Sequence, residues 1–223
     1  MSFFAELQDR TEAGRQYLLG SPIIQRAMRG DVTREDYVAY LCQAYHHVKH
    51  TVPLLMAAGA RLSDDKEWMR EAIAEYIEEE CGHQEWILND VAACGFDADK
   101  ARHSRPNFAT EIMVAYAYDT IARIHPVGFF GMVQVLEGTS TLIAEQAAQR
   151  IQHALSLPAN AFTYLRSHGA IDQQHMQFFE TLMNRIDDAE EQRIVVHAAN
   201  MFYRLYGDVF RSVVGGQAQA LAA

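Results

Sequence analysis

A chain of 223 residues, 49% hydrophobic and 22% charged, is long enough to bury a sizeable core and has the composition of an ordinary globular protein. A formal net charge of −10, with no cluster of Lys or Arg, argues against nucleic acid or an anionic membrane as partner. Three widely spaced cysteines, Cys42, Cys81 and Cys94, offer neither a disulfide framework nor a zinc-knuckle spacing and read as reduced thiols in a cytoplasm.

In chain order, the N-terminus acquires charge too soon for a signal peptide, and segment 2–19 is amphipathic. Ser21-Pro22 places an N-cap before a proline at the first helical position. Thr33-Arg34-Glu35-Asp36 has the form of a capping box and opens a long helix to about residue 61, kinked at Pro53. Ser63 or Asp64 opens the next, which runs to Cys94 and stops at Gly95. A polar connection over residues 96–106 leads into a helix from Asn107 to about Ile124. His125-Pro126 breaks it, and a further helix follows from about Val127 to Ala154. Pro158 starts another, through Ile186, and Asp187-Asp188-Ala189-Glu190 caps the last, through about Val214. No run approaches the roughly 18 uncharged apolar residues of a membrane span, and no strand pattern, repeat or linker interrupts the series. The expectation is all-α: an up-and-down bundle of seven or eight helices, one domain over 1–215 with a mobile tail over 216–223.

Chemistry has to come from polar residues set where a helix should be apolar. In 64–94 the residues Glu71, Glu75, Glu78, Glu85 and Asn89 form a solvated face. The opposite stripe carries Met69, Ile73, Tyr76, Ile77 and Ile87, and in it stand Glu80 and His83. A carboxylate on an apolar stripe is costly unless paired or bound to metal. Glu79 competes for this role, but its neighbours Glu75 and Gly82 point toward water. In 160–186 the apolar face of Tyr164, Leu165, Ile171, Phe178 and Leu182 is interrupted by His168, Asp172 and His175, at i, i+4 and i+7. Glu137 lies among Phe130, Val133, Thr141 and Ala144. By composition, Glu-x-x-His is expected roughly 0.7 times by chance, but His-x-x-x-Asp-x-x-His only about 0.02–0.03 times, so the second pattern is the specific one. A metal site held by Glu80, His83, Glu137, His168, Asp172 and His175 follows. Its mixed imidazole and carboxylate ligands suit two non-heme irons, with manganese or zinc also compatible. The set differs from the ferritin-like one by a third histidine and one fewer carboxylate.

The stretches EEECGHQEW (78–86), VLEGTS (135–140) and HGAIDQQHMQFFE (168–180) resemble the metal-binding segments of the diiron oxidases in the heme-oxygenase-like helical superfamily. That superfamily also holds the thiaminase-like TenA proteins and the quinone synthase PqqC. The resemblance covers nearly the whole chain. It implies a heme-oxygenase-like bundle in which Glu80 and His83 hold one side of the cluster, Glu137 bridges or caps it, and His168, Asp172 and His175 complete it. Some members carry the first glutamate two turns before the histidine; here that position is Tyr76, and Glu80 fills the place one turn before. The TenA-type nucleophile has no counterpart, since no cysteine follows Cys94, and the heme-binding histidine of a first helix has none either, since the first histidine is His46. Ala147 stands near the place of the lysine that one diiron relative consumes in making p-aminobenzoate.

The resemblance thus implies an oxidoreductase that uses O2 on a small organic substrate, by N-oxygenation, desaturation, C–C cleavage or decarboxylation, in a homo-oligomer such as a dimer. Two other classes remain open on the residues: a metal-free TenA- or PqqC-like enzyme using the His/Asp triplet for acid–base work, and a non-enzymatic helical interaction protein. The segment YHHVKHT (45–51) could anchor a substrate carboxylate or simply line a helix interface.

Overall fold

The structure, a computed structural model, describes residues 1–213, and within them the side chains of all but residues 168–174. All regular structure among the described residues is helical. The 216–223 tail lies outside them.

Two of the predicted caps form, at Thr33 and Asp188, whereas Ser21 and Ser63 precede their helices without a side-chain cap hydrogen bond. Thr33 accepts from the Asp36 N–H at 3.1 Å while Asp36 accepts from the Thr33 N–H at 3.1 Å, and this capping box starts α4 (Arg34–Val48). Asp188 accepts from the N–H groups of Glu190 and Glu191, opening the last helix, Ala189–Ser212.

Several long helices expected from periodicity are broken. Segment 2–19 divides at Thr11 into α1 (Phe3–Arg10) and α2 (Glu12–Leu19), and α3 (Pro22–Arg29) follows with Pro22 at its first position. The helix expected to kink at Pro53 stops at Val48, and α5 (Thr51–Gly59) restarts beyond Lys49-His50. Pro53 has no N–H to give the Lys49 carbonyl and its ring would strike it, so the break falls four residues upstream. The 64–94 helix also divides, into α6 (Glu67–Glu80) and α7 (His83–Ala93). Part of the supposed polar connection is helical: Asp97 caps α8 (Ala98–His103). Next come α9 (Phe108–Asp119), a π turn over Thr120–Ile124, and α10 (Phe129–Leu155), then α11 (Thr163–Met183) and α12 (Ala189–Ser212).

The 27-residue α10, about 40 Å long at 1.5 Å per residue, is the axis of the molecule. It packs on α3, α11 and α12, while α4 lies on α7 and α5 on α6. Close contact with α12 depends on Gly131: a Cβ there would stand 2.5 Å from the Ala199 backbone nitrogen and 2.8 Å from the Ala198 methyl. Residues 126–155 are long and apolar enough to cross a membrane by length and composition, with mean hydropathy 1.3, but the apolar stretch is 67% buried by the other helices. Glu137 and Glu145 interrupt it, so a search for an uncharged run passes over it. Its burial is that of a core helix.

Candidate active site

Helices α3, α4, α5, α6, α10, α11 and α12 enclose a cavity of about 130 Å³ with largely apolar walls. Two of the six candidate residues, Glu80 and Glu137, line it, together with Tyr76, His47 and Thr51.

Glu80 and His83 are both buried, as are Met69, Ile73, Tyr76 and Ile87 of the same stripe, so the sequence located the inward face correctly. The connection between them is not helical. Cys81 is extended and Gly82 has φ +95°, a left-handed conformation that L side chains rarely adopt. Across this joint Glu80 Oε2 lies 3.1 Å from His83 Nδ1. Trp86, one turn into α7, stacks on the His83 ring at 4.0 Å between centroids.

Glu137 is buried a third of the way along α10, and His175 is buried on α11. His175 Nδ1 lies 3.4 Å from Glu137 Oε1, and its Nε2 lies 2.5 Å from Glu79 Oε2. Tyr76 meets the same imidazole edge-on, with ring centroids 5.5 Å apart. Glu79 is thus a residue whose part the sequence understated: its side chain is 44% exposed, as helix phase requires, yet its carboxylate reaches the buried histidine. Only the packing of α11 on α6 reveals this. His168 and Asp172 fall on α11, but their side chains lie outside the described ones. Among the described residues no three His, Cys, Asp or Glu side chains group closely enough to hold a metal ion by themselves.

The helix that carries His175 is tied to the one that carries His83. Asp90 of α7, fully buried, accepts from the Thr163 and Tyr164 N–H groups at 3.0 and 2.9 Å, capping the start of α11 from outside its own chain segment. Burial raises the Asp90 carboxyl to about 6, against the opposing pull of those hydrogen bonds.

The YHHVKHT segment divides its roles. His47 lines the cavity, with the Tyr206 ring edge-on at 5.5 Å. His46 faces away, with Nε2 2.8 Å from Ser104 Oγ, and burial, helped by Lys49 and His50, lowers it to about 4. His50 Nδ1 lies 3.1 Å from the Tyr118 hydroxyl. These contacts to the 98–119 region make most of the segment a helix interface.

A family model described as "iron-containing redox enzyme" matches residues 38–207, a range that spans all six candidate residues. Among solved structures the chain is similar to a domain of unknown function with a heme oxygenase-like fold from Shewanella denitrificans OS217. Identity is 24%, the TM-score 0.87, and the match covers 100% of this chain and 97% of that one. A TenA homolog from Pseudomonas syringae pv. tomato DC3000 is similar at 12% identity and TM-score 0.76, over 96% and 93% of the two chains. Heme oxygenase-1 from the cyanobacterium Synechocystis sp. PCC6803, solved with heme, is similar at 13% identity and TM-score 0.74, over 99% and 96%. No curated protein matches the sequence. The structural likenesses establish the heme oxygenase-like helical fold.

Proposed function

The chain belongs to the iron-containing redox enzymes, and from that premise we propose that it is a non-heme diiron oxidase or oxygenase that turns O2 on a small organic substrate. One observation carries the reading: two buried carboxylates, Glu80 and Glu137, and two buried imidazoles, His83 and His175, come from four helices to the neighbourhood of one apolar cavity. No Lys or Arg lines that cavity among the described residues, and the stretch HGAIDQQ (168–174) contains none. Oxygen and nitrogen donors without a thiolate are what iron of this class takes. Glu80, His83, Glu137 and His175 would hold it, together with His168 and Asp172 from α11. Bound iron would supply the electron transfer to O2 that carbon- and nitrogen-centred side chains cannot.

The protein's own part is orientation and exclusion of water. Trp86 fixes the His83 ring by stacking, and Tyr76 and Glu79 fix that of His175. Such outer partners set which imidazole nitrogen is free to ligate. The apolar walls keep bulk water from the reacting centre. Helices α1 to α3 contain no histidine, which disfavours axial heme ligation from the first helices.

Anaerobic Fe(II) titration followed by exposure to O2 tests this. Two irons retained per chain and iron-dependent oxygen uptake are expected. A protein that retains no iron and consumes no oxygen would overturn the proposal.

A further inference from the structure

The cavity extends well past the carboxylates. On α10 its lining residues Ser140, Ala144, Ala147 and Ile151 continue the stripe of Glu137 at spacings of three and four, with Ile143 beside them. At 1.5 Å per residue, Glu137 to Ile151 spans about 21 Å of the helix. The opposite wall of this arm of the cavity is α3, through Ile23, Ile24, Ala27 and Met28.

Beyond the end of the cavity marked by Glu80, Glu137, His47, Thr51 and Tyr76, the polar groups on its wall have hydrogen-bond partners within the protein. Asp36 accepts from Arg26 at 2.7 Å and from the Thr33 N–H. The Tyr37 hydroxyl donates to the Ala161 carbonyl at 2.8 Å, and Tyr40 shares hydrogen bonds with Tyr164 and Tyr206. Thr139 and Ser140 donate to carbonyls of their own helix. A polar group entering this arm would lose its water and gain no partner, which costs on the order of 1–3 kcal/mol for a neutral group and more for a charge. With no Lys or Arg on the wall among the described residues, a phosphate, a second carboxylate or an amino-acid head would meet no fixed cation there.

We propose that the substrate has one polar head and a linear alkyl tail, with the head at Glu137 and His47 and the tail between α3 and α10. This rests on the carboxylate–imidazole centre being where oxidation occurs, because that places the reacting end of the molecule.

The test uses the metal-free full chain and isothermal titration calorimetry with straight-chain alcohols and carboxylates from hexyl to hexadecyl, each below its micelle concentration. Affinity should rise about fourfold per added methylene, then level off when the arm is full. Dicarboxylates of matching length should bind at least tenfold more weakly. Ala147→Phe should shorten the length at which affinity levels off. If that variant proves unfolded by circular dichroism, Ile151→Ala, at the far end, should lengthen it. Affinity independent of chain length, or a levelling-off point that the folded variant leaves unmoved, overturns the proposal. Iron retention is measured in parallel. Iron bound without length dependence removes the alkyl tail alone; length dependence without iron removes the metal reading instead.

Discussion

Glu80 and Glu137 are equally shielded, each 8% exposed, and they face the same cavity, but the chain delivers them by opposite means. Glu80 is the last residue of α6, set against His83 by a two-residue break in which Gly82 has a positive φ. Glu137 sits within an unbroken 27-residue helix, held by the helices packed round it. The first position is therefore controlled by local backbone conformation and the second by tertiary packing. Changes at the joint should act mainly on the site, and changes along α10 on the whole fold.

The largest effects are expected at the carboxylates themselves. Glu137→Ala and Glu80→Gln should each weaken iron binding by more than ~100-fold, while Glu79→Gln, which disturbs only the orientation of His175, should cost about tenfold. Iron titration of the three variants checks this. Equal losses for Glu79→Gln and Glu80→Gln would mean that the half-exposed carboxylate is itself a ligand.

Next in size is Gly131→Ala, on the packing side of the comparison. The methyl would meet the Ala199 backbone, which cannot swing aside as a side-chain tip can. A loss of about 1–3 kcal/mol is expected, seen as a lower midpoint in urea with the slope unchanged. An unchanged midpoint would show that α10 and α12 can separate freely.

Asp90 sharpens the comparison by pH. Its folded carboxyl titrates near 6 against an ordinary 3.8, so between about pH 4 and pH 6 the folded state holds a proton that the unfolded chain has released. Its contribution to stability therefore falls as pH rises through that window and is constant above it. Relative to wild type, Asp90→Asn should gain about 1–3 kcal/mol between pH 4 and pH 7. Urea melts of both proteins across that range measure it, and parallel curves would remove Asp90 as the source.

The smallest effect belongs to the joint. No atom lies within 4 Å of a Cβ built on Gly82, so Gly82→Ala is opposed only by its left-handed backbone, at about 1–2 kcal/mol. If the joint acts on the site, the same variant should weaken iron binding out of proportion to that modest loss. Proportionate changes would make Gly82 an ordinary turn residue.

Much of this was legible in the residues. Capping signals at Thr33 and Asp188 and the apolar stripes of α6, α7 and α10 are local or periodic, so they survive in a bare sequence. Breaks at Cys81-Gly82 and Lys49-His50 were less visible. A lone glycine or proline within a good helical pattern is compatible with continuing or stopping, and neighbouring helices settle which. The reach of Glu79 to His175, and the capping of α11 by Asp90, join residues 96 and 73 apart in the chain, and no spacing rule encodes them.

By itself, the sequence determined that the chain is helical and which faces turn inward, because helix period and hydrophobic burial act over a few residues at a time. Tertiary structure alone decided that Glu80 and Glu137 open onto one cavity and that this cavity runs on between α3 and α10. A cavity is the space left over when many helices pack, and no single segment specifies it.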